Sequence, residues 1–322
     1  MKTKRIGLLT SGGDCPGMNA CIRSVVRTAV YKGLDIFGIY RGFHGLIDGQ
    51  LRQLNRRSVS NILGHGGTIL KTARCPEFKS IAAQKRALHI IKENGLEGLI
   101  VIGGDGSFRG AHQFWQRWRV PVIGVPATID NDINGTDATI GEDTAVDTAL
   151  FAIDRIRDTA TSLERIFVVE VMGRSSGYIA LQVGLAGGAE DAVIPERRHE
   201  INRMCADIRE GYKKGKISWI IIVAEGACSA AELAKQITRK TKMETRVTVL
   251  GHIQRGGAPS ADDRVLASQL GQKAVEYLIA GKSDQMTAWS NNRVRPVGLA
   301  RATRKKKVDT HSLYRLIRIL AQ

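Results

Sequence analysis

Two carboxylates two positions apart, Asp130 and Asp132, sit in the polar segment PATIDNDINGTD (126–137), directly after the apolar run VPVIGV (120–125). In extended backbone, residues i and i+2 point to one side. Such a pair suits phosphoryl transfer, where one carboxylate takes the proton of the attacking hydroxyl and another acts beside metal-bound phosphates. Taken alone, the segment also fits an Asx-rich turn leading into a helix N-cap. Three more glycine-bearing polar segments follow apolar runs: TSGGDCPGMN (10–19), GGDGS (103–107) and MGRSSG (172–177). In the first, Gly12 and Gly13 let phosphate oxygens reach the backbone, and the helix that follows offers free N–H groups; an ordinary tight turn is the alternative. It matches neither the Walker loop nor the dinucleotide fingerprint. GGDGS repeats the arrangement, with Asp105 able to offer oxygen to a hard cation such as Mg²⁺. Arg174 can meet charge on a transferring phosphoryl group, or be a solvated loop arginine. In GHIQRGG (251–257), His252 and Arg255 form a pair suited to an anionic ligand.

Short β-branched runs at 5–10, 35–40, 98–104, 120–125, 165–171, 218–226 and 246–251 must position these loops. They alternate with helical segments expected at 17–32, 80–94, 141–158, 175–186, 200–213, 229–240 and 261–280. This is the βαβ pattern of a parallel, doubly wound α/β sheet. The carboxyl ends of parallel strands share one edge, so the four loops can converge on one crevice. With 322 residues, two lobes are expected: 1–140 plus about 253–303, and 141–252 plus about 304–322.

No stretch approaches the ~20 apolar residues of a membrane span, and the N-terminus has no signal-peptide core, so a soluble, cytoplasmic protein is expected. Five cysteines without a CxxC pair argue against a zinc site or a disulfide framework. The net charge of +17 is uneven: residues 293–322 carry nine basic residues against Asp309 alone. No nucleic-acid module or aromatic series accompanies them, so a specific nucleic-acid partner is not expected.

Together and in this order, TSGGDCPGMN, GGDGS, PATIDND, MGRSSG and GHIQRGG resemble the bacterial-type 6-phosphofructokinase family over nearly the full chain. The resemblance implies a two-lobed α/β fold, each lobe a mostly parallel sheet sandwiched by helices. It implies a cytoplasmic homotetramer that uses ATP and Mg²⁺ to convert fructose 6-phosphate to fructose 1,6-bisphosphate, the committed step of glycolysis. Carried over by position, Asp130 becomes the base at the C1 hydroxyl with Thr128 beside it, and Asp105 and Asp132 act at the metal. Gly12, Arg74, Cys75, Gly104, Asp105, Gly106 and Ser107 line the ATP site, and Arg174 with Arg74 stabilises the transition state. Met172, Gly173, Glu225, His252 and Arg255 join Thr128, Asp130 and Arg174 at the sugar phosphate, while Arg165 and Arg246 reach it from a neighbouring subunit.

Ala127 stands where ATP-using relatives usually have glycine and pyrophosphate-using ones lysine, and Gly106 where the latter have aspartate. Both leave room for ATP, although alanine resists positive φ. The alternatives are a pyrophosphate-dependent kinase and a non-catalytic polyanion-binding relative. A second, regulatory phosphate site for ADP or phosphoenolpyruvate is expected from Arg23, Arg27, Arg57, Arg157, Glu190, Lys214 and Lys216. Arg23 and Arg27, four apart, share a helix face. The other members come from the resemblance, with Arg57 in place of a tyrosine and its planar guanidinium able to lie over a purine.

Overall fold

RIGLLTS is buried at six of its seven positions, as a central strand covered on both faces must be, and forms β1 (Arg5–Ser11). The computed structural model describes residues 4–306 and 309–321, so Lys307 of the basic tail lies outside it. The chain divides into two compact units: Met1–Thr144 with Arg255–Lys306, and Ala145–Gln254 with Lys307–Gln322.

In the first unit β1 is followed by α1 (Met18–Tyr31), β2 (Asp35–Ile39), α2 (Phe43–Ile47), β3 (Leu51–Leu54), α3 (Ile81–Glu93), β4 (Leu96–Gly103), α4 (Asp105–Trp118) and β5 (Val122–Pro126). Helix α5 (Glu142–Leu163) then leads into the second unit, with β6 (Ile166–Val171), α6 (Tyr178–Ala186), β7 (Asp191–Val193), α7 (Ile201–Lys213), β8 (Trp219–Ala224), α8 (Ala230–Thr241) and β9 (Thr245–Val249). The chain returns to the first unit with α9 (Ala261–Ile279), β10 (Gln285–Ser290), β11 (Arg293–Gly298) and α10 (Leu299–Ala302), and α11 (Thr310–Leu320) belongs to the second.

The first unit holds a seven-stranded sheet in the order β11-β10-β5-β4-β1-β2-β3. Its central pairs are parallel, and antiparallel β3 and β11 close the two edges. The second unit holds the sheet β7-β8-β6-β9, parallel throughout. Helices α1 and α9 pack closely because Gly271 has no side chain: a Cβ there would lie 3.0 Å from the Cys21 carbonyl oxygen. Ser24 Oγ donates to the Ser268 carbonyl at 2.5 Å across the same contact.

The α/β reading holds, with one correction to the single-crevice argument. MGRSSG follows β6, which lies in the second sheet, so only three of the four loops share one sheet edge. Strands share an edge only within one sheet, and this strand falls in the second of the two expected lobes, which the single-crevice argument had not taken into account. Helix α4 was not among the expected helices; glycines at its start and its amphipathic but polar sequence hid it. All five cysteines are free, and burial pushes each thiol up from its ordinary range, which suits structural roles. No helix among the described residues is long and apolar enough to cross a membrane.

Candidate active site

In the first unit β1, β4 and β5 are adjacent and parallel, so the loops after them open on one sheet edge. Gly12 adopts φ +93, a left-handed conformation that its lack of a Cβ permits. Ser107 Oγ donates to the Ser11 carbonyl at 3.0 Å and is buried, so its hydroxyl fastens the β4 loop to the β1 loop. The segment carrying Arg74 and Cys75 is held beside the same turn: the Thr72 hydroxyl donates to Gly12 O at 3.0 Å, and Thr10 Oγ1 to Lys71 O at 2.8 Å. Arg74 is exposed. Arg255 donates from Nη1 to the Asp14 carbonyl at 3.0 Å, which brings this residue of GHIQRGG against the β1 loop. Asp105 opens α4 and pairs with Arg109 one turn later. A Cβ on Gly106 would meet nothing within 4 Å, so this position faces open space.

The segment after β5 corrects the extended-backbone argument for Asp130 and Asp132. Asn131 between them has φ 44, so the chain turns there and the two carboxylates are not strand neighbours on one face. Asp130 and Thr128 remain side by side, with the Asp130 N–H donating to Thr128 Oγ1 at 3.3 Å. Ala127 forms an isolated parallel bridge with Ile140, is buried and has no positive φ, so alanine fits without strain. Asp132 Oδ1 is buried with no hydrogen-bond partner among the described residues. Burial raises the Asp132 pKa, the like charge of Asp105 adds to the rise, and Lys306 opposes it. Two hard oxygen donors in electrostatic contact, one lacking a partner, fit a magnesium ion. No group of three or more metal-binding side chains occurs among the described residues, so most other ligands would be phosphate oxygens and water.

Lys306 was not singled out in the sequence, where it reads as one member of a basic run. Its Nζ donates to Asn131 Oδ1 at 2.7 Å, and the neighbouring Lys305 carbonyl accepts from Asn134 Nδ2 at 3.1 Å. Residues 305 and 306 thus strap the loop that carries the carboxylates, and burial lowers the Lys306 pKa. Only a long-range contact reveals this.

The second unit carries the remaining candidates. Gly173 has φ +140, and a Cβ there would lie 2.4 Å from Ser176 O, so the turn after β6 needs glycine. The Gly226 N–H donates to Gly173 O at 3.1 Å, which joins this turn to the one carrying Glu225. Gln254, fully buried, accepts from the Met172 N–H at 2.8 Å. Glu196 likewise takes the Gly177 N–H with both oxygens, at 2.9 and 3.0 Å. Arg174, Glu225 and His252 are exposed at the ends of this framework. Arg165, just before β6, and Arg246, in β9, are brought together by one residue that sequence reading missed. Glu244 binds Arg165 Nε at 2.8 Å with one oxygen and Arg246 with the other.

The expected regulatory residues fall in both units. Arg23 and Arg27 lie on α1, and Arg57 is exposed in the turn after β3, where Asn55 Oδ1 accepts its N–H at 2.8 Å. In the second unit these side chains have protein partners. Arg157 donates to the Gly187 and Gly188 carbonyls, Lys214 pairs with Glu210 at 2.7 Å, and Glu190 meets Lys216 at 3.1 Å. Lys216 also donates to Ala321 O at 2.9 Å, past the end of α11.

The family model for phosphofructokinase matches residues 5–278. ATP-dependent 6-phosphofructokinases of Halothermothrix orenii and Thermoanaerobacter sp. (strain X514) are 51% and 53% identical to the chain, each match covering 99% of both sequences. Phosphofructokinase from Saccharomyces cerevisiae has a TM-score of 0.89 at 34% identity over 94% of the chain, which spans 45% of the yeast subunit. A pyrophosphate-dependent phosphofructokinase from Marinobacter aquaeolei shares the fold, with a TM-score of 0.85 at 22% identity. Matched over residues 5–278 by the family model and over nearly its whole length by relatives at more than half identity, the chain belongs to the phosphofructokinase family.

Proposed function

We propose that the chain transfers the terminal phosphoryl group of ATP to the C1 hydroxyl of fructose 6-phosphate, giving fructose 1,6-bisphosphate and ADP. The observation that carries this reading is the row of three loops on one sheet edge of the first unit, with Asp130 and Thr128 on one loop and Asp105 opening the helix after another. In this reading the first unit binds ATP and the second the sugar phosphate. The turn N–H groups near Gly12 and Gly104 take phosphate oxygens, and Arg74 and Cys75 flank the nucleotide. Thr128 orients the sugar, and Asp130 accepts the proton of the C1 hydroxyl as its oxygen attacks the γ-phosphorus. Asp105 and Asp132 would hold Mg²⁺, which would supply charge neutralisation for the triphosphate. Arg174 and Arg74 balance charge on the phosphoryl oxygens as the bond to ADP breaks.

Met172, Gly173, Glu225, His252 and Arg255 hold the sugar phosphate, and Arg165 and Arg246 serve the active site of a neighbouring subunit in a cytoplasmic homotetramer. Glu244 keeps those two cations in register. Exposed Val247, Val249 and Ile253 on and beside the sheet-edge strand β9 support an interface there. ADP and phosphoenolpyruvate act through Arg23, Arg27, Arg57, Arg157, Glu190, Lys214 and Lys216.

A coupled assay of fructose 6-phosphate with ATP and with pyrophosphate, run in parallel, tests the reading. Turnover is expected with ATP, lost in EDTA and restored by Mg²⁺. Comparable rates with pyrophosphate would overturn the assignment of donor at Gly106 and Ala127.

A further inference from the structure

We propose that a cleft of the second unit, between the segment after β7, the start of α7, and α11, binds a small polyanion carrying two or more phosphate groups. Arg197, Arg198, His199 and Arg203 line it, and Tyr314 and Arg318 of α11 form its far wall. This site does not depend on the proposed reaction, and its lining shares no residue with the active-site or regulatory sets above.

Charge accounting carries the inference. Asp191 and Asp207 also line the cleft, but both are already committed to Arg318, the first at 3.1 Å. Tyr314 is hydrogen-bonded to Asp191 as well; burial, and after it that carboxylate, push the tyrosine pKa up to about 12. Glu196, which does not line the cleft, keeps both oxygens on the Gly177 N–H. Only Glu200 remains among the lining carboxylates, against Arg197, Arg198 and Arg203, for which no ion pair occurs among the described residues. The four arginines of the lining face three carboxylates, a surplus of one positive charge, and the three guanidinium groups without an ion pair, Arg197, Arg198 and Arg203, stand together on one side of the cleft.

The geometry is also partly prepared. The Arg197 guanidinium lies over the Tyr314 ring at 4.1 Å, which fixes its plane and leaves its N–H edge available. Arginine presents paired N–H groups that match two phosphate oxygens at once, which lysine does not. Arg198 and Arg203 are exposed, so they can close on a ligand without giving up an internal partner. A ligand bridging them to Arg197 would relieve the mutual repulsion of the three cations.

Inorganic tripolyphosphate is the probe, titrated calorimetrically into the full chain at fixed ionic strength. Wild type is compared with Arg198→Ala/Arg203→Ala, with Arg174→Ala, with Arg23→Ala, and with Lys235→Ala/Arg239→Ala, which removes the same charge from α8. The expected result is one tripolyphosphate site weakened at least tenfold in the Arg198→Ala/Arg203→Ala variant alone, with kcat and KM for fructose 6-phosphate within twofold of wild type. Should that variant not fold, Arg198→Ala alone, at an exposed position, reads the same loss. An isotherm unchanged from wild type overturns the proposal. So does an equal loss in Arg174→Ala or Arg23→Ala, which assigns the anion to the active or regulatory site, or in the α8 variant, which makes the binding non-specific.

Discussion

One residue, Asn131, separates Asp130 from Asp132, and the structure gives the two carboxylates different surroundings. The left-handed Asn131 turns the chain between them, so Asp130 stays beside Thr128 while Asp132 is drawn into the field of Asp105 and Lys306. In the proposed reaction such different surroundings suit two roles, a base at Asp130 and a metal ligand at Asp132. Asp130→Asn should lower kcat by about 10² to 10⁴ and leave KM for fructose 6-phosphate within a few-fold, as expected for loss of a group acting in the transition state. Steady-state kinetics checks this; a variant keeping more than about a tenth of wild-type kcat removes Asp130 from the base role.

The elements that hold the site are latched by single buried side chains. Asp263 in the first turn of α9 accepts from the Gly141 N–H at 2.6 Å, the Thr144 N–H at 2.9 Å and the Thr144 hydroxyl at 2.5 Å, and so ties the start of α5 to α9. Asp263→Ala leaves those donors without an acceptor and should destabilise the protein by about 3 kcal/mol. Burial outweighs the three bonds and raises the Asp263 pKa above its ordinary value. The folded state therefore binds this proton more tightly than the unfolded chain. The group's contribution is fully present below the unfolded pKa and declines as pH rises through the folded one. Denaturant melts of wild type and Asp263→Ala should accordingly differ more at pH 4 than at pH 7. The paired arginines are held in the same way, with one carboxylate, Glu244, binding Arg165 just before β6 and Arg246 on the adjacent parallel strand β9. If they complete a neighbour's site, inactive Arg246→Ala and inactive Asp130→Asn subunits should regain part of the activity once mixed into common oligomers. No recovery in mixed oligomers verified by mass would exclude a shared site.

For the whole molecule, regulation requires that effectors bind two quaternary states differently. In the second unit Glu190 already receives the Ile220 N–H at 2.5 Å and Lys216 at 3.1 Å, and Lys216 also holds Ala321 O. An effector there must compete with these internal partners, which should weaken its grip. Phosphoenolpyruvate is expected to make the fructose 6-phosphate curve more sigmoidal and ADP to reverse it, both less so in Arg23→Ala. Saturation curves check this. A shift in half-saturation below about twofold, roughly 0.4 kcal/mol of coupling, would mean that the enzyme is not controlled through these residues.

The order of strands, loops and most helices was legible along the chain because burial imposes a 3.6 period on helices and unbroken apolar runs on strands covered on both faces, and neighbouring residues record both. β1, β4, β6 and β8 show this as near-continuous apolar runs. The carboxylates and glycines of the β1, β4 and β5 loops were legible for the same reason, since each directly follows such a run. β3, β7, β10 and β11 were not: they are short or at an edge, and their pairing partners, rather than their own pattern, make them strands. Gln254 against Met172, Glu244 between two arginines and Lys306 on Asn131 were equally hidden. By itself the sequence determined the chemistry available and the order in which the chain presents it. Only the tertiary structure decided where Asn131 turns and which distant side chain holds each functional group, because those outcomes depend on contacts between residues far apart in the chain.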